Sequence, residues 1–173
     1  MMKLRTIYSF IALLSVISCI KDRPTGKELA VGDIIPEFSV TMNDGSILSS
    51  KEIKQTPSLV MFFHTSCPDC RQTLPVVQEI YEKYCDKGVR FVLISREEDN
   101  ASVSSYWAEH QLTLPYSAQE TRDVYELFAQ TKVPRIYINA QGGEIRYIHA
   151  DDPLPDLDIL DTQISAVCGT DKE

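Results

Sequence analysis

The chain has one Cys-x-x-Cys, Cys67-Pro68-Asp69-Cys70, and lacks both a second such pair and a pair of histidines at metal-ligand spacing. A structural zinc site takes four such ligands, so their absence sets zinc aside. Long apolar runs are missing as well: Ile7 to Ile17 falls short of the about 20 residues that a spanning helix needs. Basic residues are outnumbered, 17 Lys and Arg against 25 Asp and Glu. The net charge of -8 argues against nucleic acid or an anionic membrane surface as a partner. There is no internal repeat and no low-complexity tract. With 43% apolar content, 173 residues provide one domain plus a processing segment.

What is present centres on the stretch from Leu59 to Arg71. Leu59 to Phe63 is an apolar run of the length of one buried parallel strand, and it leads directly into Cys67 and a segment of helical character. A helix starting at Cys67 aims unsatisfied backbone N–H groups and the positive end of its dipole at the first sulfur, which favours thiolate over thiol. Cys67 is therefore expected to be the nucleophile. Pro68 suits the first turn, and Cys70, one turn on, can close a small ring, so the redox-active group is a Cys67–Cys70 disulfide with no other cofactor. Asp69 places a carboxylate between the two sulfurs, which opposes the thiolate and pushes the couple toward reducing behaviour. His64 lies three residues before Cys67. Either its imidazole stabilises the thiolate when protonated, or it is a part-exposed residue at the loop edge. His110 and His149 read as surface residues.

Lys3 and Arg5 ahead of the Ile7–Ile17 run form a secretory signal over residues 1–18. Its end, Val16-Ile17-Ser18-Cys19, resembles a lipobox, which makes Cys19 the lipidated N-terminus of the mature chain. Residues 19–30, with Pro24, Gly26 and mixed charge, read as a tether, and 31–173 as the folded domain.

Within the domain, Pro36 restricts Ile34 to Val40 to an edge strand or extended arm. Asn43-Asp44-Gly45 turns this arm into a hairpin with Ile47-Leu48, and Ser49 or Ser50 caps a short helical turn. After Cys70, Leu74, Val77, Ile80, Tyr81 and Tyr84 recur at helical spacing, which predicts a helix to about Asp86 that is kinked at Pro75 and stopped by Gly88. A buried strand over Val89–Ile94, an acidic loop and a helix over Ala101–His110 follow. Tyr106 and Trp107 in that helix are read as packing residues. Next come a loop over Leu112–Ser117 and a helix over Arg122–Gln130. A strand at Ile136–Ile138 and an antiparallel strand over Glu144–His149 are joined by Gln141-Gly142-Gly143. A last helix carries Leu157, Leu160, Ile164 and Val167. This order is that of an α/β domain, a mixed sheet with helices on both faces.

Several segments recur together in one known group: Val31-Gly32-Asp33-Ile34-Ile35-Pro36-Glu37-Phe38, Asp44-Gly45, Cys67-Pro68-Asp69-Cys70-Arg71 with Pro75 downstream, and Val133-Pro134. In this order and spacing the chain resembles the membrane-anchored, thioredoxin-like thiol-disulfide oxidoreductases of the TlpA/ResA type, relatives of the AhpC/TSA peroxiredoxin-like group. The resemblance implies a thioredoxin-like fold with an N-terminal β-hairpin extension. It implies that Pro134 is cis and faces the dithiol, leaving the Val133 backbone open to pair with an extended substrate held also by Pro68 and Asp69. The expected partners are protein thiols and disulfides of the cell envelope and an upstream membrane electron donor. The expected location is periplasmic, with a monomer anchored to the inner or outer membrane through Cys19.

The chain departs from that family at two positions: Met61 stands where thioredoxins carry a buried Asp, and Thr73 where ResA-like proteins often carry Glu. The usual proton acceptor for Cys70 is absent, which leaves water, His64 or Asp69. Two alternatives accompany the oxidoreductase reading. One is a thiol peroxidase of the AhpC/TSA type, weakened because His64 replaces the Thr that such enzymes place three residues before the peroxidatic Cys. The other is a copper chaperone that uses His64, Cys67 and Cys70 as soft ligands. Finally, with Cys19 lipidated and Cys67 paired with Cys70, Cys85 and Cys168 remain. In a thioredoxin-like fold each sits near the far end of a helix that runs away from the site, so a structural disulfide between them is expected.

Overall fold

A computed structural model describes residues 28–169. The signal segment 1–18, Cys19 and most of the tether lie outside the described residues. The core is a five-stranded sheet of β3 (Ser58–Phe63), β4 (Arg90–Ser95), β5 (Tyr116–Ser117), β6 (Arg135–Asn139) and β7 (Ile145–His149), in the spatial order β5-β4-β3-β6-β7. β4 runs parallel to both β3 and β5, whereas β6 is antiparallel to β3 and to β7. All six residues of β3 are buried, as an unbroken apolar run in a central strand requires.

Because side chains alternate along a strand, Phe62 and Phe63 at the end of β3 serve opposite faces. Phe63 meets Trp107 of α3 (Asn100–Glu109) at 5.0 Å between ring centroids. On the same face Phe91 of β4 meets Tyr81 of α2 (Pro68–Tyr84) at 5.3 Å, and α2 packs against α5 (Leu157–Gly169). Phe62 points the other way, into an aromatic group formed with Tyr125, Phe128 and Tyr137. Tyr125 belongs to α4 (Asp123–Glu126), so helices cover both faces of the sheet.

The N-terminal hairpin forms as expected, with β1 (Ser39–Thr41) antiparallel to β2 (Ile47–Ser49), followed by the short α1 (Ser50–Ile53) under a Ser49/Glu52 capping box. It is a separate two-stranded sheet that docks on β5: Asn43 N–H donates to the Tyr116 carbonyl at 2.7 Å and Ser117 Oγ donates to Thr41 O at 2.7 Å. The arm before it is strand only from Ser39. Upstream it lies along the start of β7 through Gly32 N to Ile145 O (2.8 Å) and Ile35 N to Gly143 O (2.9 Å). Gly143 has φ +82, and a Cβ there would lie 2.6 Å from Lys54 Cγ, so this close approach of arm and turn needs glycine.

Two helices are shorter than their periodicity predicts. α2 keeps Pro75 inside it and ends at Tyr84, and a 3-10 turn over Cys85–Lys87 then leads to Gly88 at φ +83. The helix expected over Arg122–Gln130 stops after one turn. There Tyr125 OH donates to Lys132 O at 2.7 Å and Arg122 Nη2 donates to Gln130 O at 2.9 Å, and these side chains fold the following residues back on the turn.

Candidate redox site

Cys67 is the N-cap of α2. Its sulfur accepts the backbone N–H of Cys70 at 3.4 Å, and its thiol donates to the carbonyl of Val133 at 3.3 Å. The contact with Val133 brings together two loops that are far apart in sequence, since β3 and β6 are neighbours whose register sets their ends side by side. The Val133–Pro134 peptide is cis, as the family resemblance implies, and Val133 itself is buried. Pro68 is exposed and Asp69 half-exposed at the mouth of this contact.

The two sulfurs differ in environment. Cys67 is half-buried, while Cys70 is 0% exposed. Burial pushes the Cys70 thiol well above the ordinary thiol range. A hydrogen bond from the backbone of His64 opposes that rise, and the hydrogen bond and charge of Cys67 and the charge of Asp69 add to it. The inner sulfur therefore holds its proton through neutral pH, and Cys67 is the more accessible of the two.

His64 faces Ser66 and Glu98 through Nδ1. Its Nδ1 lies 3.1 Å from the backbone N of Ser66 and 2.9 Å from Ser66 Oγ, and 3.7 Å from Oε2 of Glu98. The loop His64–Ser66 is tied to α2 by Cys67 N–H donating to His64 O (3.0 Å) and by Arg71 Nε donating to Thr65 O (2.6 Å). Glu98 is the residue that sequence reasoning missed. It sits in the acidic run Glu97-Glu98-Asp99, where neither composition nor spacing separates it from its neighbours. In the fold it is 7% exposed, whereas Asp99 caps α3. Met61 and Thr73 are both buried, and the Thr73 hydroxyl donates to Asp69 O at 2.8 Å in its own helix. Among the described residues no group of three or more His, Cys, Asp or Glu is arranged to hold a metal ion. His110 stacks on Tyr106, and His149 pairs with Gln163 at 2.6 Å.

The structure does not make the expected bridge between Cys85 and Cys168. Cys85 lines a cavity of about 430 Å³ together with Met42, Tyr81, Arg90, Phe91 and Pro115. The residue that meets α5 is Tyr84, whose hydroxyl donates to the Asp161 carboxylate at 2.8 Å. One residue along a helix is about 100° of rotation, so Tyr84 facing α5 turns Cys85 away from it. Thiol titration of the oxidised mature protein, unfolded in denaturant, should find two thiols. Finding none would restore the bridge.

The model of the AhpC/TSA family matches residues 31–148. The thiol-disulfide oxidoreductase ResA of Oceanobacillus iheyensis is 26% identical over 140 residues, covering 79% of this chain and 72% of its own length. The thiol-disulfide oxidoreductase YkuV of Bacillus subtilis is 28% identical over 111 residues, covering 62% and 75%. Among solved structures, a thiol:disulfide interchange protein of the thioredoxin family from Chlorobium tepidum superposes with a TM-score of 0.70 at 23% identity, over 81% of this chain and 99% of that one. The fold is thioredoxin-like, with a five-stranded mixed sheet flanked by helices and a two-stranded hairpin at its N-terminus.

Proposed function

The chain belongs to the AhpC/TSA family, and from that premise we propose that it is an exported thiol-disulfide oxidoreductase that exchanges disulfides with protein substrates through Cys67 and Cys70. The observation that supports this best is the asymmetry of the pair: Cys67 is half-buried, capped by the Cys70 N–H and in contact with Val133 O, while the fully buried Cys70 keeps its proton.

In this reading an extended substrate segment pairs with the backbone at Val133 beside Pro134 and lies over Pro68 and Asp69. The Cys67 thiolate attacks one sulfur of the substrate disulfide, and the other leaves as a thiolate. Cys70 then gives up its proton and attacks the Cys67 sulfur, so that the Cys67–Cys70 disulfide forms and the second substrate sulfur is released. The dithiol is oxidised by two electrons and the substrate disulfide reduced by two. Asp69 disfavours thiolate and so favours the protein acting as a reductant. The N-terminal features of the sequence add export by a signal over 1–18, lipidation at Cys19 and a tether to residue 30, with the domain working as a monomer at a membrane of the cell envelope. An upstream membrane electron donor would return the disulfide to the dithiol.

Timed alkylation of the reduced protein with iodoacetamide, read by peptide mass spectrometry, tests the assignment of roles. Of the redox pair, Cys67 alone is expected to take the label at neutral pH, and Cys70 only as pH rises well past the ordinary thiol range, because the raised folded-state value keeps the inner thiol neutral until then. Earlier labelling of Cys70 would reverse the roles. Consumption of hydrogen peroxide at a rate exceeding exchange with a peptide disulfide would favour the peroxidase reading instead.

A further inference from the structure

The segment that brings Val133 to the dithiol is held by side chains. Its successive carbonyls accept from different residues: Gln130 O from Arg122 Nη2 at 2.9 Å, Thr131 O from Arg135 Nε and Nη2 at 3.3 Å, and Lys132 O from the Tyr125 hydroxyl at 2.7 Å. The next carbonyl is that of Val133, which accepts the Cys67 thiol at 3.3 Å. The donors are themselves anchored. Arg122 is paired with Glu97 at 3.2 Å and Arg135 with Glu28 at 2.9 Å. Tyr125 is 1% exposed and rests on Phe62, with the guanidinium groups of Arg96 and Arg122 at 5.2 and 5.3 Å from its ring centroid. Burial pushes the Tyr125 hydroxyl above the ordinary phenol range, so it keeps its proton and donates at neutral pH.

The bond from Tyr125 falls on a residue that needs it. Lys132 has φ +68, in the left-handed region where the Cβ of an ordinary residue crowds the carbonyl oxygen that follows it. Released, a lysine there relaxes toward negative φ, and the peptide plane after it turns as a unit. That plane carries both Lys132 O and Val133 N–H. In a trans peptide the two point in opposite directions, so holding the oxygen from the core aims the N–H away from it. Val133 is thus fixed on two sides, through its N–H by the Tyr125 bond and through its carbonyl at the Cys67 sulfur. Its N–H and C=O are the groups with which an extended segment pairs.

We propose that Tyr125 is a positioning residue for substrate pairing: its hydroxyl keeps Lys132 left-handed and so holds the Val133 backbone beside the Cys67 sulfur in the orientation that an extended substrate segment meets. The inference rests on the oxidoreductase reading above. Tyr125 touches no substrate and moves no proton or electron; its effect reaches the site through one peptide plane. A disulfide that has no peptide backbone reaches Cys67 without pairing at Val133, and is less sensitive to that plane.

The test is single-turnover exchange of the reduced protein with two disulfides, an extended peptide disulfide and the small aromatic disulfide dithionitrobenzoate, each followed against concentration. Tyr125→Phe keeps the ring and removes only the donor. The ratio of the peptide rate constant to the dithionitrobenzoate rate constant should fall about threefold or more, a factor within reach of one hydrogen bond. The loss should appear as a higher half-saturating peptide concentration. Lys132→Gly and Lys132→Val both lose the contact of Nζ with Asp151, and differ in the left-handed backbone, which glycine adopts freely and a β-branched residue resists. The ratio should be lower in Lys132→Val than in Lys132→Gly, and adding Lys132→Gly to Tyr125→Phe should raise it. A ratio unaltered in Tyr125→Phe, whether both rates hold or fall together, would make the hydroxyl a satisfied core group and overturn the proposal. If Tyr125→Phe does not fold, the two Lys132 variants decide, and equal ratios in them overturn the proposal. Failure of the native protein to reduce the peptide disulfide at all would instead overturn the oxidoreductase reading, so the two failures are told apart.

Discussion

Cys70→Ala should turn the protein from a catalyst into a trap. Cys67 keeps its N-cap position and its contact with Val133, so it still attacks a substrate disulfide, but the sulfur one turn on that would resolve the adduct is gone. Turnover in a disulfide-reduction assay should fall by on the order of 10³-fold or more, as when one member of a group that acts as a unit is removed. Covalent adducts sensitive to reductant should accumulate, and should be absent in Cys67→Ala. Because Cys70 is fully buried in the hydrophobic core, the small apolar replacement should cost little stability. Turnover at the native rate in Cys70→Ala would show that an outside thiol resolves the intermediate. Adducts formed by Cys67→Ala would reverse the roles of the two sulfurs.

The largest loss of stability is expected from Phe62→Ala. Phe62 is 0% exposed in the central strand, with edge-on contacts to Phe128 at 4.9 Å, Tyr125 at 5.4 Å and Tyr137 at 6.3 Å. Removing a buried phenyl ring from such a group costs about 3–5 kcal/mol, the lost transfer energy together with the cavity left behind. Denaturant unfolding monitored by circular dichroism would show it as a lower midpoint at unchanged slope. The effect should also reach the site: Tyr125 leans on Phe62, and its hydroxyl holds the carbonyl of Lys132, the residue before Val133. Exchange should therefore slow under conditions where the variant is still folded. A loss below about 1 kcal/mol would mean that the aromatic group closes over the gap.

Much of this was legible in the sequence because it follows from short-range pattern. The run Leu59 to Phe63 admits only a buried strand, the Cys67 cap and Pro68 start a helix, and Asn43-Asp44-Gly45 turns a hairpin. Alternation and helical spacing placed nearly every other element within a few residues. Where local pattern misled, a tertiary partner had overridden it. Apolar spacing over Arg122–Gln130 is helical, yet Tyr125 and Arg122 spend their polar ends on Lys132 and Gln130 and close the helix after one turn.

The chemistry divides in the same way. Residue types and spacing alone pointed to Cys67 as the attacking and Cys70 as the resolving sulfur of the proposed exchange, since a helix N-terminus and the next turn set the two apart. Only the tertiary structure decided which way Cys85 faces in the turn after α2, on a cavity wall while its neighbour Tyr84 meets α5. It also decided which of three adjacent acids is buried beside the dithiol loop. Glu97, Glu98 and Asp99 are alike as a string of charges. What separates Glu98 is the crossing from β4 to α3, which carries it to Thr65 and His64 while its neighbours face Arg122 and the α3 N-terminus. Burial and pairing across a sheet depend on the packing of distant segments, which no local period encodes.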